Sequence, residues 1–411
     1  MRNLTRIASI GIVIGVLLLA CAPAQTPTAT PISPDVISSI DAYLGDLTRG
    51  GAFSGSVLIA QGDTVLLSAG YGMADIESEV PNTPQTRFHI GSVTKQFTAL
   101  AVLTLQAQGQ VDLEDQVCNH VPDCPDHWQA ITIHQLLTHS SGLPDSWQFY
   151  AHRNKPGVSY APEEIIGWFK AAPLDFAPGD RFSYSNTGYL LLGYLVEEVS
   201  GQSYEVFLRQ QIFEPLEMTN TGYAHDDTDL AVGYSHNGFA AEFINPSLAY
   251  SAGGLYSTVE DLYRWDRSFY TEELVPPELL DTVFTPFLST PHFPYAPPYD
   301  QVSYGYGWFV GERLGRRVAG HGGTYNGFRA LIERYPDDEI AIVILSNLAS
   351  SDNTVTTFPV EAIFGVEGRT TPPAGDAVGP REAARFFTIG YEHKGAWADN
   401  AGRLAPSSCP R

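Results

Sequence analysis

Of the four lysines in this 411-residue chain, at positions 95, 155, 170 and 394, only Lys95 has a serine three residues before it. In Ser92-Val93-Thr94-Lys95 the two side chains would share one face of a helix, and their tips could touch. A serine hydroxyl is a weak nucleophile until a neighbouring base takes its proton, so the pair suits covalent acyl transfer. The same spacing also fits a serine that merely caps a helix. Two further groups follow in order. Tyr184-Ser185-Asn186 offers a phenol, able to relay a proton if a nearby cation lowers its pKa from about 10. It also offers an amide that can donate and accept toward a substrate. His321-Gly322-Gly323 supplies an imidazole and two glycines that would let a substrate lie against a strand edge. Read alone, Tyr184 fits a structural tyrosine at a helix entry.

The elements that must position these groups are legible in outline. Phe88-His89-Ile90 is a short apolar lead-in and Gly91 a break. Beyond Ser92, Phe97, Leu100, Ala101, Val102 and Leu105 predict a buried helix stopped by Gly109. Ser92 then sits at or near a helix N-terminus, where free N–H groups and the helix dipole favour a developing oxyanion. Residues 181–189 are polar and turn-like, which places Tyr184 and Asn186 in the loop before a buried helix carrying residues 190–196. His321 follows a strand-like stretch at 316–319. Residues 328–335, the Pro336-Asp337-Asp338 turn and the apolar run 340–345 predict a hairpin. Residues 35–47 read as an amphipathic helix, 55–60 and 64–69 as a hairpin, and 354–364 as a closing helix. Residues 92–299 are mostly helices and loops. The proline-rich, aromatic stretch 285–298 either walls a pocket or is a surface loop.

Taken together, these ordered motifs resemble the class C β-lactamase and penicillin-binding serine hydrolase family, which also holds DD-peptidases, D-amino-acid peptidases and esterases. Residues 131–144 (ITIHQLLTHSSGLP), 176–180 (FAPGD), 251–258 (SAGGLYST) and 304–308 (YGYGW) are similar to further family segments. The resemblance spans roughly residues 35–365. It implies an α+β, β-lactamase/transpeptidase-like fold. Its antiparallel sheet is built from both chain ends, flanked by helices, with a mostly helical lobe inserted. It implies Ser92 as the acylated nucleophile, Lys95 as the group that takes or shares its proton, and Tyr184 as second base and later acid. Asn186 would hold the acyl-side amide, and Gly323 and Thr324 would border the substrate. The backbone N–H groups of Ser92 and Thr324 would form the oxyanion hole. His321 stands where β-lactamases of the family usually carry lysine, and Gly322 where they carry a hydroxyl residue. Both departures weaken a grip on a substrate carboxylate, since histidine is only partly charged near neutrality. The expected activity is therefore that of an esterase or D-amino-acid peptidase acting through an acyl-enzyme, on a small ester, amide or peptide. The alternatives are a β-lactamase or DD-carboxypeptidase, and a penicillin-binding surface module without efficient turnover. No cofactor is implied.

Composition bounds the partners. A formal net charge of −23 repels phosphate backbones, so nucleic acid is not an expected partner. Residues 1–21 read as a lipoprotein-type signal: Arg2 and Arg6 precede an apolar run too short for a membrane span, and Leu18-Leu19-Ala20-Cys21 resembles a lipobox. Cys21 is the lipidation candidate, with a plain secretory signal as the alternative. Residues 22–34 are a Pro/Thr-rich tether, residues 35–365 the hydrolase domain, and residues 366–411 a loosely ordered tail. An extracytoplasmic, lipid-anchored location follows, and in such an oxidising compartment Cys118 and Cys124 are a disulfide candidate. A zinc pair using His120 or His127 is the rival reading of those cysteines.

Overall fold

The computed structural model describes residues 30–366, apart from 147–148, 150–152, 156, 226–227, 236–237, 272–273, 291–296 and 352–353. The expected signal with Cys21, most of the tether and all but the first residue of the tail lie outside the described residues.

The centre is an eight-stranded antiparallel sheet. Its strands are β1 (Gly55–Gln61), β2 (Thr64–Tyr71), β3 (Leu288–Ser289), β4 (Asp300–Tyr304), β5 (Phe309–Arg313), β6 (Arg316–Tyr325), β7 (Phe328–Tyr335) and β8 (Ile340–Ser346). Their spatial order is β2-β1-β8-β7-β6-β5-β4-β3, so the N-terminal hairpin pairs directly with the last strand. The expectation of a sheet built from both chain ends is met.

Alternation along the central strands explains the layers. Successive side chains point to opposite faces. Val57 and Ile59 of β1, with Ile342 and Ile344 of β8, bury against Ile40, Tyr43, Leu44, Val355 and Phe358. Those partners come from two helices on the outer face, α1 (Pro34–Arg49) and, at the end of the domain, α6 (Thr354–Ile363). Leu58, Ala60, Val343 and Leu345 turn the other way, into the core of the helical lobe. Because both faces are covered, every residue of β8 is buried and its sequence is a continuous apolar run.

The lobe is organised around α2 (Thr94–Ala107), α3 (Asn186–Ser200), α4 (Pro246–Gly253) and α5 (Val259–Ser268). Helix α2 is buried over its whole circumference from Thr94 to Leu105, its polar residues Lys95, Gln96 and Thr98 included. Helix α3 ends at Gly201 in the left-handed conformation (φ 69°), a common helix stop.

As expected, Ser92 lies at the N-terminal end of α2, in a 3₁₀ turn, Gly91–Val93, that runs directly into the helix. Several other local expectations are corrected. Asn186 is not in the loop. It is the first residue of α3, and Ser185 precedes it in extended conformation. His321 lies inside β6 rather than after it, because the strand continues to Tyr325. Of the 285–298 stretch, Leu288 and Ser289 form the edge strand β3, and 291–296 lie outside the described residues. Cys118 and Cys124 are joined in a disulfide.

Candidate active site

Three elements converge at the junction of sheet and lobe. The first is the Gly91–Val93 turn. Gly91 has φ +50°, and a Cβ there would sit 2.6 Å from the Thr324 carbonyl oxygen and 2.8 Å from the Thr324 nitrogen. Across the same gap, a Cβ on Gly323 would lie 1.9 Å from the carbonyl oxygen of Ile90. Glycine at both places is what lets the backbone of β6 abut the turn that carries Ser92. Strand β6 pairs with β5 only as far as Gly320, while its pairing with β7 runs on to Tyr325. Among the described residues, no strand pairs with the β5-facing edge from His321 to Tyr325, beside Ser92.

The second element is the start of α2. Lys95 is fully buried, and its Nζ lies 3.1 Å from Ser92 Oγ, 2.8 Å from Asn186 Oδ1 and 2.8 Å from the Ala252 carbonyl oxygen. Burial lowers its pKa to about 7, with the Asp145 carboxylate pulling the other way. Ala252 is delivered by α4, which kinks at Tyr250 (φ 36°, ψ −129°). Such a conformation is costly for a bulky residue and persists only where the surroundings impose it. Just past the kink, the Ser251 carbonyl accepts from Thr98 and the Ala252 carbonyl from Lys95.

The third element is the entry to α3. Tyr184 hydrogen-bonds with Ser92, and its ring centroid is 5.0 Å from Lys95 Nζ. Tyr184, far along the chain from Ser92 and Lys95, therefore meets both. The expectation that a cation lowers the phenol's pKa is not met: burial raises it, and the Ser92 bond only partly opposes that. Asn186 holds the group together from its helix position, accepting from Lys95 and donating to Asp145 Oδ1 at 3.3 Å.

His321 is near but inward. It is buried, with its ring centroid 6.1 Å from that of Tyr184. Nδ1 is 2.6 Å from the Gly322 carbonyl oxygen, which only a ring N–H can satisfy, so Nε2 accepts from the Tyr304 hydroxyl at 3.1 Å. Burial, reinforced by the charge of Lys95, lowers its pKa to about 3. The imidazole is neutral, with both nitrogens engaged inside the protein. Gly322 and Thr324 are the exposed positions of this stretch, and Gly323 is buried.

Asp145, His139 and Ala252 are site residues that no sequence motif singled out. Each lies in a segment quoted above or next to one, but nothing in its residue type or spacing indicates a contact with Lys95 or Tyr184.

A profile of the family described as Beta-lactamase matches residues 39–362. The chain belongs to the Beta-lactamase family. It is 28% identical over 318 residues to penicillin-binding protein 4* of Bacillus subtilis, an alignment covering 72% of this chain and 68% of that one. It spans about two thirds of the length of the curated relatives it matches. Among solved structures, the octameric penicillin-binding protein homologue from Pyrococcus abyssi superposes with a TM-score of 0.71 at 29% identity, over 80% of this chain and 77% of the other. The D-amino acid amidase from Ochrobactrum anthropi SV3, complexed with D-phenylalanine, superposes with a TM-score of 0.70 at 25% identity, over 80% and 98%. The β-lactamase/transpeptidase-like, α+β fold is thereby shown, in a family of serine hydrolases.

Proposed function

We propose that the protein hydrolyses small esters or amides through an acyl-enzyme on Ser92, favouring substrates that do not need a cation at position 321. The placement of Lys95 Nζ carries this reading. A neutral amine has two N–H donors and one lone pair. Asn186 Oδ1 and the Ala252 carbonyl accept both donors, so the lone pair is left facing Ser92 Oγ. With its pKa near 7 the amine is available in that form at neutral pH.

In the proposed sequence Ser92 gives its proton to Lys95 as Oγ attacks the substrate carbonyl carbon. The backbone N–H groups of Ser92 and Thr324 face the oxyanion. Tyr184, protonated because burial raises its pKa, gives its proton to the leaving nitrogen or oxygen as that bond breaks, and recovers one from Lys95. Water then loses a proton to Lys95 and attacks the acyl carbon; the C–Oγ bond breaks, the acid leaves, and Oγ takes the proton back from Lys95. The neutral His321 and the bare Gly322 give a carboxylate neither charge nor hydroxyl, which disfavours the β-lactamase and DD-carboxypeptidase readings. An amide substrate is in keeping with the D-amino acid amidase neighbour.

Labelling by a fluorophosphonate, compared between wild type and Ser92→Ala, tests the nucleophile; equal labelling of both defeats the proposal. A panel of an aryl ester, a chromogenic cephalosporin and a D-Ala-D-Ala peptide tests the preference, with the ester expected to turn over fastest. Export with a lipid anchor at Cys21 is part of the proposal, supported by the lipobox-like run and by the Cys118–Cys124 disulfide. Cys21→Ala is expected to move the protein from the membrane fraction to the soluble one.

A further inference from the structure

His139 has no place in the chemistry above, yet it is built into the site more firmly than a filler residue needs to be. It adopts φ 57°, a backbone region that non-glycine residues seldom enter. Its side chain is buried among four aromatic rings, with centroids 4.2 Å from Tyr184, 4.7 Å from Tyr304, 5.0 Å from Tyr189 and 5.7 Å from Phe182. Its backbone carbonyl accepts the N–H of Ser183 at 2.8 Å. Its ring Nδ1 accepts the N–H of Ser185 at 3.2 Å. The residues on either side of Tyr184 therefore both hang on His139, and the imidazole packs 33° from parallel to the phenol ring.

We propose that His139 is the positioning residue for Tyr184, clamping the 183–185 backbone from both sides and backing the phenol so that its hydroxyl stays on Ser92. The assignment rests on the reading that Tyr184 works on Ser92. The clamp needs a neutral imidazole: with Nδ1 as acceptor, the ring proton sits on Nε2. Burial keeps the ring uncharged, and the nearby Lys95 adds to this whenever it carries its proton. Loops alone hold a phenol loosely, and misplacing a proton-transfer group by an ångström costs up to about a hundredfold in rate.

Aryl-ester turnover by the purified protein tests this through a double-substitution cycle. His139→Ala is expected to lower kcat about ten- to a hundredfold with KM changed less than about twofold. His139→Asn is expected to recover most of the loss, because asparagine tolerates the left-handed backbone and its Oδ1 falls near the place of Nδ1. In a Tyr184→Phe background, His139→Ala is expected to change kcat by less than about twofold, since no hydroxyl is left to place. His139→Leu, which fills the space without an acceptor, serves the same comparison should the alanine variant fail to fold. Equal loss in both backgrounds, or no loss where Tyr184 is intact, overturns the proposal. A Tyr184→Phe protein with wild-type kcat instead overturns the role of Tyr184 itself, so the two failures are separable.

Discussion

Burial is what fits Lys95 to the proposed role of base. Three oxygens surround its Nζ and one carboxylate, Asp145, opposes its neutralisation. Only the neutral amine can take the Ser92 proton, so kcat/KM should rise about tenfold per pH unit below about pH 7 and level off above it. Asp145→Asn removes the charge that holds the proton on Lys95, so the rising limb should move to lower pH; a profile flat from pH 5 to about 9 counts against Lys95 as base. The substrate side gives a second test. A Cβ on Gly322 meets nothing nearer than the Ala330 carbonyl oxygen, at 3.8 Å. Gly322→Ser should fold normally and restore a donor for a carboxylate, raising penicillin acylation relative to ester turnover severalfold, on the order of one hydrogen bond to a charged group. An unchanged ratio would remove position 322 from substrate recognition. Ser92, Lys95 and Tyr184 were readable from spacing and order. Asp145 was not, because its role depends on a fold-dependent contact with Asn186.

Elements meet here at backbone distance. Gly91 and Gly323 have no side chains where the Ser92 turn touches β6, and a Cβ on Gly323 would overlap the Ile90 carbonyl. Gly323→Ala must push the strand from the turn, separating the N–H groups of Ser92 and Thr324. Loss of one oxyanion donor costs about a hundred- to a thousandfold in kcat, so a fall of that order is expected, with a lower melting temperature. Normal activity would mean that these two amides do not form the hole. The α2 outline was legible from apolar residues at helical spacing (97, 100, 101, 105), and β1 from a short apolar run closed by a turn. The misplaced boundaries, at Asn186 and His321, fall at site residues. There tertiary contacts, such as the bonds from Asn186 to Lys95 and Asp145, compete with the local pattern.

At the scale of the molecule, the sheet is one cooperative piece whose strands come from both chain ends, and buried ion pairs tie it across and to the lobe. Glu333 of β7 accepts from Arg313 of β5 at 3.0 Å, and from Tyr299 and Tyr335. Arg334 of β7 donates to Asp266 of α5 at 2.8 Å. Glu333→Ala would leave Arg313 charged and buried, so a loss of about 3–5 kcal/mol is expected in denaturant unfolding; a change under about 1 kcal/mol would show that water reaches the guanidinium. The amino-acid sequence by itself determined the family, the order of the motifs, the serine–lysine–tyrosine set and the lack of a lysine at 321, because residue type and spacing along the chain carry these directly. Only the tertiary structure decided how burial shifts the ionisation of the set and which residues support it. Burial of Lys95, Tyr184 and His321, the clamp at His139 and the carbonyl of Ala252 arise from segments far apart in the chain, whose proximity exists only after the sheet has closed on the lobe.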